Sequence, residues 1–157
     1  MVNTLSTDTT PSSDNALEFC LRLARAYAVL TRRLDNTLSS VHGLSFSDFM
    51  IMYHLHRAEG ARLRRIDLAE RVGLTASGVT RSLLPLEKIG IVSRQADPRD
   101  ARVGYAILTT TGQELFVNAL KSAGTVCRDV TESVSEDQIA SLLPVLGRLS
   151  GMNPSKS

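Results

Sequence analysis

The chain of 157 residues has no tryptophan, only two cysteines and few aromatic side chains. No apolar run approaches the roughly 20 residues that a membrane-spanning helix requires, and the N-terminus lacks the basic and apolar segments of a secretory signal. Cys20 and Cys127 stand far apart in no metal-binding spacing, which argues against a disulfide framework or a cysteine-rich zinc site. We therefore expect a cytoplasmic protein with reduced thiols and no membrane contact.

Patterns that carry catalysis are also missing from the sequence. It contains no paired carboxylates, nucleophile elbow, glycine-rich phosphate loop or Ser/His/Asp set. His54 and His56 are two positions apart, which on a helix turns their side chains about 200° from each other, so they cannot share a metal ion. The sequence therefore predicts neither an enzyme nor a bound metal or other cofactor.

Basic side chains are concentrated in the middle of the chain. Residues 61–102 hold nine arginine or lysine side chains and five acidic ones, whereas the remainder of the chain is slightly acidic. A basic segment of this kind is typical of a surface that neutralises nucleic-acid phosphates. Most charge clusters are only solvated surface, so charge alone leaves both interpretations open.

Apolar residues at three- and four-residue steps predict a mostly helical chain. One long helix is expected over residues 16–41 and a second over 46–58, where Ser45 and Asp48 form a variant of the capping box. Two more helices follow residue 113, and the last opens on a capping box at Ser135 and Gln138. Residues 1–14 are polar and predict a disordered tail.

Between these helices the pattern predicts a helix-turn-helix. Its first helix ends at Gly73, which can take the left-handed backbone of a tight turn, and Thr75 caps the second helix. The expected apolar face of the first helix is Leu63, Ile66, Leu68, Ala69 and Val72. The expected stripe of the second is Val79, Leu83 and Leu86.

After Gly90 the apolar residues alternate, as they do in strands. Residues 91–95 and 103–108 are short β-branched stretches joined by a charged connector, and they predict a two-stranded wing. Pro85 stands inside the preceding helix, where we expect a kink near residues 82–85 without loss of the helix. The predicted fold is mainly α-helical with a small β-wing.

The stretch from Leu68 to Gly112 resembles the winged helix-turn-helix of the MarR (multiple antibiotic resistance regulator) family. The resemblance rests on Leu-Ala-Glu at 68–70, Gly73, Leu-Glu-Lys at 86–88, Gly90, Asp-Ala-Arg at 100–102, and Leu108-Thr109 with Gly112. It covers about residues 16–150. It implies a DNA-binding domain at 45–110 flanked by helical dimerisation regions at 15–42 and 113–150. The alternative to a homodimer is a monomer whose terminal helices fold back on one another.

The resemblance implies that the second helix of the helix-turn-helix enters double-stranded DNA and that the chain regulates transcription. Opposite the apolar stripe lie Ser77, Arg81 and Lys88, with Thr80 to one side. We expect Arg81 to read guanine and Lys88 to touch phosphate only. Each of these side chains is alternatively a solvated surface residue.

The wing and the arginines before the first short helix complete the predicted DNA contacts. We expect Asp100 to brace an arginine across the wing base, and Arg99 or Arg102 to reach the minor groove. The alternative for the wing is a mobile turn whose charges cancel. Further phosphate contacts are expected at Arg62, Arg64, Arg65 and Arg94.

The resemblance further implies a repressor that a small phenolic or other lipophilic effector releases from DNA. The candidate effector-pocket residues are Tyr27, His42, Tyr53 and Arg57. Cys20 lies close to where peroxide-sensing members of the family keep a reactive cysteine, so a redox-sensing regulator is one alternative, although a lone cysteine is usually a small buried apolar residue. The other alternative is a winged-helix protein-interaction module without specific DNA binding.

Overall fold

The computed structural model describes the backbone of residues 11–151 and the side chains of residues 14–151. The elements are α1 (Pro11–His42), α2 (Phe46–His56), a 3-10 turn (Glu59–Ala61), β1 (Arg62–Arg64), α3 (Arg65–Val72), α4 (Ala76–Lys88), β2 (Val92–Ala96), β3 (Gly104–Leu108), α5 (Thr110–Val130) and α6 (Glu136–Leu149). The expected fold, mainly helical with a small β-wing, is confirmed.

The first helix begins earlier than its apolar periodicity suggests. It is already helical at Pro11, the first residue that the structure describes. Residues 11–14 of the predicted tail are therefore helical, which corrects that part of the prediction. Residues 1–10 lie outside the described part of the chain.

The corner between α1 and α2 is fixed by hydrogen bonds to the start of α2. The predicted capping box of Ser45 and Asp48 is present. Asp35 on α1 also accepts a hydrogen bond from the backbone N of Phe46 over 2.6 Å. Because the first N–H groups of a helix have no helical partner, these bonds set where α2 starts relative to α1.

The helix-turn-helix forms at the predicted turn. Gly73 has a φ of 68° at the end of α3, and the Thr75 side chain accepts a hydrogen bond from the Gly78 backbone at the start of α4. The predicted stripe Val79, Leu83 and Leu86 is buried. Helix α4 continues through Pro85 to Lys88, as expected.

The apolar face predicted for α3 was partly wrong. Ile66 is 68% exposed, and Leu63 belongs to a strand. Leu63 precedes α3, which begins at Arg65, and Ile66 lies about 200° around that helix from the buried Leu68, so Ile66 cannot share its face.

The wing is part of a three-stranded antiparallel sheet in the order β1-β3-β2. The sequence predicted two strands and missed β1, which pairs with β3 through Arg62 opposite Ile107 and Arg64 opposite Tyr105. A strand of three residues is too short to show a recognisable alternation. The third strand places the arginines at 62 and 64 on the wing sheet and not in a loop.

The core surrounds α2, whose Met52 and Leu55 are fully buried, and Phe116 of α5 packs against it. The ends of the described chain contribute nothing to this core: residues 14–29 of α1 and all of α6 contain no buried side chain. No helix in the described part of the chain is both long enough and apolar enough to cross a membrane.

Candidate nucleic-acid interface

Helix α4 presents one polar face opposite its buried stripe. Ser77, Arg81 and Lys88 lie on it, and Thr80 is half-buried. The hydroxyl of Thr80 donates to the carbonyl of Ala76 over 3.0 Å, which leaves only its oxygen lone pairs for another molecule. No described carboxylate lies within ion-pair distance of Arg81. Arg81 is therefore an uncompensated charge at the centre of this face.

Asp97 organises the wing tip. Its Oδ1 accepts a hydrogen bond from the backbone N of Arg99 over 2.7 Å, and its Oδ2 accepts one from the Tyr105 hydroxyl over 3.3 Å. The backbone bond from Arg99 is the main cause that lowers the pKa of Asp97, and the Tyr105 hydroxyl adds to it. The charged carboxylate thus ties the wing tip to β3.

Asp100 acts more locally than predicted. It accepts a hydrogen bond from the backbone N of Arg102 over 3.0 Å, and its carboxylate lies 3.9 Å from Nε of the same arginine. Asp100 therefore contacts an arginine two positions on within the turn and not one across the wing base, and the side chain of Arg102 is 95% exposed. Arg99 is exposed beside it, so both candidate minor-groove arginines stand at the wing tip.

The four predicted phosphate contacts all have partners within the chain. The Arg62 guanidinium lies over the ring of Tyr105 at 5.1 Å, and Arg64 pairs with Asp67 at 2.8 Å. Arg65 and Arg94 pair with the two carboxylate oxygens of Glu87 at 3.1 and 3.3 Å. Their contact with DNA stays a prediction, and it would have to compete with these pairs.

Two residues of this region escaped prediction: Glu87, which was assigned no role, and Tyr105, which was not found as a partner of Asp97. Glu87 pairs with Arg65, which lies 22 positions earlier in the chain. Helical periodicity predicts neighbours within one helix and cannot predict a partner at that separation. The available signal was the place of Glu87 beside the buried Leu86, at the edge of the apolar stripe. That position favours a half-buried acid that needs a cation.

Of the predicted effector residues, Tyr53 and Arg57 contact each other, while His42 and Tyr27 lie apart on α1. Tyr53 is half-buried against Phe116, with the Arg57 guanidinium 5.6 Å from its ring. Nε2 of His42 lies 2.9 Å from the Ser122 hydroxyl of α5. Tyr27 is 62% exposed and stands about 22 Å along α1 from His42, at 1.5 Å per residue. The pocket stays a prediction, and within one chain Tyr27 and His42 do not meet.

Both cysteines are exposed, which differs from the small buried apolar residue that the simpler alternative expected at Cys20. Although Cys127 is exposed as a residue, desolvation of its sulfur by neighbouring atoms raises the pKa of the thiol, so Cys127 carries less reactive thiolate at neutral pH. Redox sensing through Cys20 stays a prediction.

His54 of α2 is the one buried polar side chain among the described residues, and its Nε2 has no hydrogen-bond partner there. Burial lowers the pKa of His54, and the charges of Arg71 and Arg57 lower it further. Both effects favour the neutral form of this ring in the folded chain.

We expect the free energy of unfolding to fall as the pH drops below about 6.5, where the unfolded chain protonates His54 and the folded chain does not. His54→Leu should flatten this dependence between about pH 5 and 7. Urea unfolding at several pH values measures it, with His56→Gln on the same helix as the control, since His56 is exposed. An unchanged pH slope in His54→Leu would show that other groups cause the dependence.

The arrangement of α3, α4 and the wing defines the class: the chain is a winged helix-turn-helix protein. Residues 44–103 match the family model described as "MarR family". This part of the chain, from residue 44 to residue 103, is a MarR family domain.

Individual relatives agree with this assignment. Over 107 residues the chain is 30% identical to the uncharacterized HTH-type transcriptional regulator YdgJ of Bacillus subtilis. The match spans 68% of this chain and 64% of YdgJ, which is slightly less than two thirds of that relative. The fold is similar to that of Sco3205, a MarR family regulator from Streptomyces coelicolor solved in complex with DNA (TM-score 0.80, 24% identity, 95% and 94% of the two chains). It is also similar to a point mutant of E. coli MarR complexed with operator DNA (TM-score 0.76, 20% identity, 89% and 99%).

Proposed function

We propose that this chain is a homodimeric, sequence-specific DNA-binding regulator of transcription. Helix α4 would enter the major groove, and the observation that carries the proposal is the uncompensated charge of Arg81 on its exposed polar face. Arginine donates two parallel hydrogen bonds to guanine, which gives it direct base discrimination. The DNA-bound structures of Sco3205 and of the MarR mutant support the same use of this fold.

The wing would add contacts outside the major groove, and these contacts would not read the identity of the bases there. Arg99 and Arg102 are exposed at its tip, and the hydrogen bonds of Asp97 and Asp100 order the backbone that carries them. Arginine at a narrow minor groove reads shape and phosphate potential. We propose these two side chains as the minor-groove contacts.

The terminal helices support pairing of two chains. Leucines of α1 and α6 lie exposed in the single chain, among them Leu17, Leu21, Leu143 and Leu149. Exposed apolar area of this extent is typical of an interaction surface. A two-fold dimer would bury it and place one α4 on each side, suited to a pseudo-palindromic site.

We propose repression relieved by a small aromatic anion as the mode of regulation. Tyr53 with Arg57 over its ring offers an apolar face and a cation side by side, which suits a phenolic or carboxylate ligand. A redox switch at Cys20 is the alternative; its thiol is exposed in the single chain, on the stretch of α1 between Leu17 and Leu21 that the proposed dimer would cover.

Arg81→Ala should lower affinity for the selected DNA site by about 1–3 kcal/mol, with a much smaller loss on random duplex, because base contacts carry discrimination. Fluorescence anisotropy on both duplexes measures the two affinities. Lys88→Ala is the matched control, since it removes the same charge from the end of the same helix and should weaken both duplexes alike. Equal losses for Arg81→Ala on both duplexes would place Arg81 on the phosphate backbone. A wild-type chain without any sequence preference would favour the protein-interaction module.

A further inference from the structure

One carboxylate joins three elements of the DNA-binding lobe. Glu87 lies in the last turn of α4; its Oε1 is 3.1 Å from Arg65 Nη2, and its Oε2 is 3.3 Å from Arg94 Nη2. Arg65 is the first residue of α3, and Arg94 is the middle residue of β2. Helix α4 is thus bonded through one residue both to α3 and to strand β2 of the wing.

The pair between Glu87 and Arg65 is held more firmly than a surface ion pair. The two side chains are only 19% and 20% exposed. Cδ of Arg65 lies 3.2 Å from where a Cβ on Gly104 of β3 would stand, so the side chain packs closely over the sheet. Exposed ion pairs contribute little because water and side-chain entropy oppose them, whereas half-buried pairs keep a defined geometry.

We propose that Glu87 is a positioning residue for DNA recognition, which sets α4 against α3 and the wing through its bonds to Arg65 and Arg94. This inference rests on the proposed DNA-binding function. Base contacts by α4 and minor-groove contacts by the wing are made together only if the two elements keep a fixed relative placement. Glu87 fixes this placement because its carboxylate bonds to Arg94 of the wing as well as to Arg65 of α3.

The proposal and simple electrostatics predict opposite results for Glu87→Gln. Removing a negative charge near DNA should by itself tighten binding to every duplex. Loss of positioning should instead weaken the selected site about tenfold, comparable with losing one base contact, while random duplex binds as well as before or better. The preference for the selected site, taken as the ratio of the two affinities, therefore falls.

The test compares two duplexes of equal length: one enriched from a random pool by the wild-type chain, and a scrambled version of it. Glu70→Gln is the matched control, because Glu70 is an exposed acid of α3 outside this network and its loss should leave the ratio unchanged. Arg94→Gln removes one arm of the network at a half-exposed side chain and should lower the ratio as well. If Glu87→Gln fails to fold, Arg94→Gln decides the question.

The double variant Glu87→Gln with Arg94→Gln separates positioning from independent effects. If the two act through one contact, the double variant lowers the ratio no further than Glu87→Gln alone. An unchanged ratio in Glu87→Gln, or equal tightening on both duplexes, would overturn the positioning role while the proposed function stands. A wild-type chain that enriches no sequence would overturn both.

Discussion

Leu143→Glu should convert the proposed dimer into monomers. Leu143 is 62% exposed in the single chain and lies on α6, which has no buried side chain of its own. Burying one leucine side chain stabilises a dimer by about 1.5–3 kcal/mol. A two-fold dimer buries the same leucine from both chains, so the substitution removes this contribution twice. The dimer dissociation constant should therefore rise by roughly 10²–10⁴-fold, since about 1.4 kcal/mol corresponds to a factor of ten. Sedimentation over a range of protein concentrations measures it.

Ser141→Glu is the control for that substitution. It introduces the same charge two positions earlier on α6, about 200° around the helix from Leu143. It should leave the dissociation constant close to that of the wild type. Two variants with the same mass distribution would mean that α6 does not form the interface, and the terminal helices would then need another partner.

Gly112→Ala should destabilise the fold by about 3 kcal/mol, at the upper end of overpacking effects. A Cβ at this position would overlap the backbone carbonyl oxygen of Ile91 and lie 2.7 Å from Cδ1 of Leu108. Neither neighbour can yield easily, because Ile91 O also accepts from the backbone N and the hydroxyl of Thr109. Denaturant unfolding at one fixed protein concentration measures the loss.

Gly124→Ala, on the same helix, should have the opposite effect on stability. The nearest atom to its added Cβ is Nη1 of Arg128 at 3.5 Å, an ordinary contact. Alanine is favoured over glycine inside a helix by about 1 kcal/mol, so this variant should be slightly more stable than the wild type. Equal stability of the two variants would show that α5 can move away from Ile91 and Leu108 without cost.

The elements that the sequence predicted well are those whose signals are local. Gly73 and Thr75 mark the turn of the helix-turn-helix through their own backbone and capping preferences, and the structure places both as expected. The stripe that begins at Val79 follows from helical periodicity within one element. Local rules of this kind need no knowledge of what the element packs against.

What escaped the sequence depends on contacts between elements. Strand β1 is defined by its pairing with β3, and which side of α3 is buried depends on what packs against it, so Ile66 was wrongly placed on the apolar face. The arginines at 65 and 94 were assigned to phosphate because their charge is visible in the sequence, while their shared partner Glu87 is distant in sequence from Arg65. The structure changes the interpretation of a basic segment by showing which of its charges are already paired.

The wing shows the same limit at shorter range. Asp100 was expected to brace an arginine side chain, yet both Asp97 and Asp100 accept hydrogen bonds from backbone N–H groups two positions on. Aspartate favours this local bond in turns. The backbone of the wing tip is therefore held by the carboxylates of Asp97 and Asp100. The exposed side chains of Arg99 and Arg102 remain available to other molecules.

The central claim is that two copies of this chain together read one double-stranded DNA site. Enrichment from a random duplex pool, followed by the mass of the purified complex, tests it most directly. We expect a pseudo-palindrome whose half-site centres are about 10 bp apart or a small multiple of that, because symmetry-related α4 helices must enter the major groove on one DNA face. The complex should contain two chains per duplex. Enrichment of a short asymmetric site held by one chain would contradict the account.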